Sequence, residues 1–260
     1  MTSLVASLTV AIGLWLVIPP PGSQGRVGEL TAQLSASDPA VRATAACGLR
    51  ELGDGAAPAI DALVALLSDA APLPQPICGR NWWRGHPNSL TSPGEQAAAA
   101  LVAIGGRAVA PLLAALDNPV WTARRHAAWA LGALDNRRAT PALVRALRDA
   151  EPGVREQAAW ALGALNDPAG VPAILDGLKD RDPRVRQQSA WAAGALNDER
   201  AVDPLLRLLT DGEAGVREQV CWALGAIGEE RALHPLLPHL KDPDARVRRQ
   251  AAWAIGVLNR

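Results

Sequence analysis

Five tryptophans, Trp129, Trp160, Trp191, Trp222 and Trp253, recur every 31 residues in a chain with no Phe and no Tyr. Three residues before each stands a polar side chain: His126, Gln157, Gln188, Gln219 and Gln250. The preceding column is mixed in charge: Arg125, Glu156, Gln187, Glu218 and Arg249. Indoles beside amides suit recognition, because they combine flat apolar area with uncharged donors and acceptors. Chemistry that makes or breaks bonds needs other groupings. The sequence shows no nucleophile–base pair and no Gly-rich phosphate loop. No catalytic residue, metal ligand or cofactor is assigned.

The elements that must position these columns follow from the same period. The stretch "VREQAAWALGALND" from Val154 returns as "VRQQSAWAAGALND", "VREQVCWALGAIGE" and "VRRQAAWAIGVLNR", and more loosely as "ARRHAAWALGALDN" from Ala123. An Arg column (Arg124, Arg155, Arg186, Arg217, Arg248) and a Gly column (Gly132, Gly163, Gly194, Gly225, Gly256) keep the same step, as do Asp149, Asp180, Asp211 and Asp242. A constant period of this length marks a solenoid, whose units bury their apolar faces only against neighbours. Each unit carries two helical patterns. One, as in Glu199–Asp211, has Pro near its start; the other opens on an acidic cap and Pro, as at Asp182-Pro183. The fold expected is an all-α solenoid of about seven two-helix units. The first two are degenerate, with Cys47 and Ala99 in the Trp column, and the last ends on its second helix. The Arg and Asp columns are expected to pair between repeats, and the mid-helix Gly to permit close helix approach.

Helix angles locate the Trp column. At about 100° per residue, Val154, Ala161, Leu162 and Leu165 fall within about 60° of Ala158 and form the buried stripe. Trp160 falls near 200°, with Glu156 and Gln157 to either side. Two readings stand for the indoles. They form an exposed ladder, or they lie flat between adjacent second helices with the Gly column making room.

The consensus "DPxVRxxAAxALGxL" followed by "AVxPLLxLLxD" resembles the HEAT-like repeats of the short variety first recognised in phycobilisome lyases. The resemblance covers roughly residues 26–260 and implies a right-handed superhelix with its second helices on the concave side. The Trp and Gln columns would then look into a groove. The same repeat serves scaffolds, chromophore lyases, a DNA-repair glycosylase group and a di-iron hydroxylase. The hydroxylases hold iron through His-Glu pairs. Here His86, His126, His234 and His239 precede Pro, Ala, Pro and Leu, so no such pair exists. The glycosylases need a basic groove, whereas 26 basic and 26 acidic residues cancel here, so nucleic acid is not an expected partner.

The expected role is therefore non-enzymatic: a scaffold that binds a protein or peptide segment along its groove. The competing class is an accessory enzyme of the lyase or hydroxylase kind, which colour or iron in the purified protein would reveal. Self-association through the C-terminal end is a third expectation. The apolar run Leu4–Ile18, followed by "PPPGSQG", reads as a secretory signal or membrane anchor within residues 1–25, with export or anchoring expected and a cytoplasmic chain the alternative. A Cys47–Cys78 bridge would require export. Between Asp69 and Pro93 the pattern breaks into a proline-rich insertion. Its Arg80, Trp82, Trp83 and Arg84 either form an aromatic, cationic lip on the groove or pack down on the first repeats.

Overall fold

The computed structural model describes residues 23–73 and 92–259; residues 1–22, the insertion segment 74–91 with Arg80, Trp82, Trp83 and Arg84, and Arg260 lie outside the described residues. Fourteen α-helices in seven consecutive pairs make up the described chain. The first members are short: α1 Ser23–Gln33, α3 Ile60–Leu66, α5 Val109–Ala115, α7 Thr140–Ala146, α9 Val171–Gly177, α11 Val202–Leu208 and α13 Leu233–Leu236. The second members run longer: α2 Pro39–Glu51, α4 Pro93–Ile104, α6 Trp121–Ala133, α8 Pro152–Leu165, α10 Pro183–Leu196, α12 Ala214–Ile227 and α14 Ala245–Leu258. Helix α1 begins at Ser23, inside the segment set aside as a leader. At the insertion, Ser92 and Pro93 are the capped start of α4 rather than part of a loop.

Local chemistry sets the boundaries. Asp38, Asp182 and Asp244 each accept a hydrogen bond from the amide two residues on. Ser92 and Glu95 form a reciprocal capping box at α4. Second helices stop at residues in the left-handed region, Asp135, Asn166, Asn197 and Gly228, which turn the chain into the next repeat. The stretch Pro93–Ala115 is apolar and long enough to cross a membrane. It is broken at Gly105 (φ 84°) into α4 and α5.

Consecutive second helices pack closely along the whole array, while α7, α9 and α11 scarcely meet one another. The array therefore bends with the second helices inside. Small residues allow the close approach. A methyl placed on Gly132, Gly163, Gly194 or Gly225 would stand 2.7–2.9 Å from the Cα of Ala161, Ala192, Ala223 or Ala254 on the next second helix. The core holds Val154, Ala158, Ala161, Leu162 and Leu165 at 1% exposure or less, as the helical stripe requires.

The outer edge is tied by the Arg and Asp columns. Arg124, Arg155, Arg186 and Arg217 each grip the carboxylate 25 residues on with two nitrogens at 2.7–2.9 Å. The same guanidinium caps two carbonyls of its own preceding loop through Nη1. Each pair thus joins one repeat's second helix to the loop of the next. Cys221 is a fully buried free thiol whose pKa burial pushes up to about 12. Cys47 is disulfide-bonded; Cys78, the partner expected for it, lies outside the described residues.

Candidate functional site

The indoles prove to be both packed and presented. The Cζ3 edges of Trp160, Trp191, Trp222 and Trp253 lie over Gly132, Gly163, Gly194 and Gly225 of the preceding repeat, at 2.6–2.9 Å from where a Cβ would sit. Each ring leans back across the helix junction, so a Gly is needed beneath it. The helix angles placed the rings off their own helix's core correctly; they did not show the lean toward the neighbouring helix. Trp160, Trp191 and Trp222 remain partly exposed, and Trp253 is 44% exposed.

Exposure changes along the ladder, and its first rung is closed. Trp129 is only 3% exposed and stacks on Trp160, with ring centroids 6.4 Å apart and planes 18° from parallel. His126 is 1% exposed. Its Nδ1 lies 2.7 Å from the Leu67 carbonyl, which can only accept, so Nδ1 carries the proton. Nε2 then accepts from Arg125 Nη2 at 2.9 Å. Arg125 also reaches Glu95 Oε1 at 3.2 Å and lies over the Trp121 ring at 5.6 Å. Trp129, His126 and Arg125 are therefore buried or tethered on α6, by Trp160 of α8, by the Leu67 carbonyl at the end of α3 and by Glu95 of α4 respectively, and their expected place in an open groove is corrected.

Burial first and the nearby Arg125 charge second outweigh the opposing hydrogen bond to Leu67 and leave His126 with a pKa lowered to about 4. A histidine neutral in the fold and ordinary when unfolded stabilises fully above about pH 6.5. That contribution is lost as pH falls toward about 4. NMR of the His126 imidazole should show no protonation between pH 8 and about 5; a midpoint near the ordinary value would contradict the buried neutral tautomer.

Downstream, the expected residues do come together. Trp191, Glu218, Gln219, Trp222 and Gln250 line one open cleft of about 310 Å³ across α10, α12 and α14. Gln157, Gln188, Gln219 and Gln250 are all partly exposed. Among the described residues, neither these amides nor the indole N–H groups of Trp160, Trp191, Trp222 and Trp253 hydrogen-bond to the protein.

Arg184 and Arg246 sit first on their own helix caps, each 3.0 Å from Asp182 or Asp244. Arg246 lies 3.7 Å from Glu218, and Arg184 feels the Glu156 charge. Gln187 Oε1 sits over Gly215. Arg249 is exposed and has no acidic partner among the described residues. Arg184 and Arg246 were missed as groove residues; the signal was the Arg one residue past the helix start in alternate repeats. Trp121, 40% exposed beside Val120, was missed too, because Pro or Ala holds its column in the later repeats. The described residues contain no cluster of three or more His, Cys, Asp or Glu that could hold a metal ion.

Comparison with known proteins places the chain. A model of HEAT repeats matches residues 109–180 and 171–256, and the model of PBS lyase HEAT-like repeats matches residues 41–69 and 95–118. Among solved structures, the complex of the phycocyanin lyase proteins CpcE and CpcF from Nostoc is 25% identical. That match covers 98% of this chain and all of that one, with a TM-score of 0.49. Yeast importin-β, Kap95p, is 15% identical over 92% of this chain and 37% of its own, with a TM-score of 0.63. An engineered protein is 21% identical over 90% of this chain and 96% of its own, with a TM-score of 0.50. No curated protein sequence matches the chain.

Proposed function

Because the chain belongs to the HEAT-repeat family, as the match over residues 109–256 shows, we propose that it works as a binding scaffold, holding a protein or peptide segment along the inner face of α8, α10, α12 and α14. The observation that carries this reading is the cleft between Trp191 and Trp222, where indoles and solvent-facing amides with no protein partner share one open surface. A side chain placed only for packing needs no free donor. A partly exposed indole beside uncommitted amides offers apolar area and directional bonds together. Covering half an indole would contribute about 2 kcal/mol at roughly 25 cal/mol per Å², so three rungs supply about 6 kcal/mol before ordering costs, and micromolar affinity also needs the directional bonds of the amides.

Panning a random peptide library against the whole protein tests this. Binders should lose affinity for a Gln188→Arg, Gln219→Arg variant whose unfolding midpoint is unchanged, and should protect amides of α10 and α12 from hydrogen exchange. Binders that survive the double substitution, or that protect only the short first helices, would contradict the groove.

A further inference from the structure

We infer that the joint between α4 and α6 is an acid-sensitive hinge, at which the first two repeats, α1–α4, come away from the array when His126 takes up a proton. The inference is independent of the groove and its partner. Three observations carry it. The first is what the joint lacks. From α6 to α12, each second helix grips the next repeat through an Arg and receives that repeat's indole over a Gly. Helix α4, PGEQAAAALVAI, holds no Arg and no Gly beyond its first turn. Neither tie is available here.

The second is what replaces them. Thr122, Arg125 and His126 share one face of α6 and hold the end of α3 and the start of α4. The Thr122 hydroxyl donates to the Ser68 carbonyl at 3.0 Å, Arg125 Nη2 to Glu95 Oε1 at 3.2 Å and His126 Nδ1 to the Leu67 carbonyl at 2.7 Å. A Cβ on Gly94 would stand 2.9 Å from that Nδ1 and 2.8 Å from the Leu67 oxygen, so three elements meet around the imidazole. The third is the connector. Gly105-Gly106, the one Gly-Gly pair in the sequence, leads from α4 to α5, with φ 84° at Gly105 and no atom within 4 Å of a methyl on either. Such a link absorbs a change of backbone angle at little cost.

Protonation strikes this arrangement at its centre. Neutral His126 accepts from Arg125 Nη2 through Nε2, 2.9 Å away. The imidazolium would aim a second N–H at that guanidinium. Either Arg125 leaves, and its tie to Glu95 with it, or the joint holds two adjacent cations. Among the described residues, the carboxylates on the elements packed there are already engaged. On α4, Glu95 is held by Arg125 and the Ser92 amide, and past α3, Asp69 is held by Arg42. On α6, Arg124 is paired with Asp149; on α8, Arg155 is paired with Asp180 and Glu156 lies in the field of Arg184. Once the joint opens, the imidazole meets water and titrates ordinarily. Two repeats alone do not keep their fold, because at least three are needed, so opening exposes the amides of α2 and α4.

Hydrogen exchange of the full chain, read helix by helix and corrected for intrinsic rates, tests this at about pH 7.5 and about pH 4.5. With an imidazole pKa of about 4 in the closed joint and about 6.5 in the open one, opening should rise about 70-fold between the two. Amides of α2 and α4 should lose protection by that factor. Those of α14, which fray from the opposite end of the array, should not. His126→Gln installs the residue that later repeats carry in this column, and the acid loss should vanish. Arg125→Gln removes the neighbouring charge, so the imidazole pKa rises in the closed joint and the loss should shrink. A loss in α2 and α4 no greater than in α14 would overturn the inference. So would an acid loss that either folded variant leaves undiminished.

Discussion

Arg155→Ala should cost about 3 kcal/mol of folding stability, the largest effect of any single substitution away from the apolar core. The Arg155 side chain is 6% exposed and reaches Asp180 through two nitrogens at 2.7 and 2.8 Å. Its Nη1 satisfies the carbonyls of Asp149 and Ala150 at 2.9 and 3.1 Å. Removing it strands a half-buried carboxylate and two carbonyls at once, and a buried acceptor left unmade costs more than the bond itself contributes. Arg200, paired with Asp198 on the exposed surface, is the control, and its removal should leave the denaturant midpoint where it was.

The same ladder predicts an acid limb. In Asp180 and Asp211, burial pushes the carboxyl pKa up, but hydrogen bonds from Arg155 and Arg186 more than reverse it. In Asp242 the Arg217 side chain dominates and holds the pKa down to about 2. A carboxylate lowered in the fold stabilises fully above its unfolded value of about 3.9. That stability is lost as pH falls through about 2. Unfolding midpoints should fall in two stages. The first, between about pH 6.5 and about 4, comes as His126 protonates in the unfolded chain. The second, below about pH 4, comes as the carboxylates do, and Arg217→Ala should flatten only this second stage.

Gly194→Ala should destabilise by about 2 kcal/mol, although intrinsic propensity alone would favour Ala by about 1 kcal/mol. A methyl there would stand 2.6 Å from Cζ3 of Trp222 and 2.8 Å from Cα of Ala223. The ring could swing away, but the backbone of α12 could not, so the helices must part. Gly256 is the comparison, because nothing lies within 4 Å of a methyl on it. Gly256→Ala should be neutral or mildly stabilising. Thermal or denaturant unfolding of the two variants decides the point, and a stabilised Gly194→Ala would mean the second helices are not in close contact.

How much of this was legible in the sequence depends on how far each interaction reaches. The two-helix unit, the caps at Asp182 and Asp244 and the Arg–Asp pairing follow from the period, because copies in successive repeats must meet in the same way. The purpose of the Gly column was legible for the same reason. The closure at Trp129 was not. It depends on Leu67, whose carbonyl meets a histidine 59 residues away, and on Glu95 in a degenerate repeat that lacks the motif. A single helix viewed down its axis also cannot show that Arg246 lies beside Glu218 on the previous helix. The Trp and Gln columns share an open cleft where the copies are faithful, at Trp191 and Trp222, and are closed off at Trp129, the first rung of the ladder.

The central claim, that the inner face between Trp160 and Trp222 is where a partner lies, is tested most directly by the indole N–H signals of the ¹⁵N-labelled protein. Peptide selected against the whole chain should move the resonances of Trp191 and Trp222 first and Trp160 with them. Trp129, buried at the closed rung, should stay in place. Shifts confined to Trp121, or a bound peptide that moves none of the three groove indoles, would contradict the account.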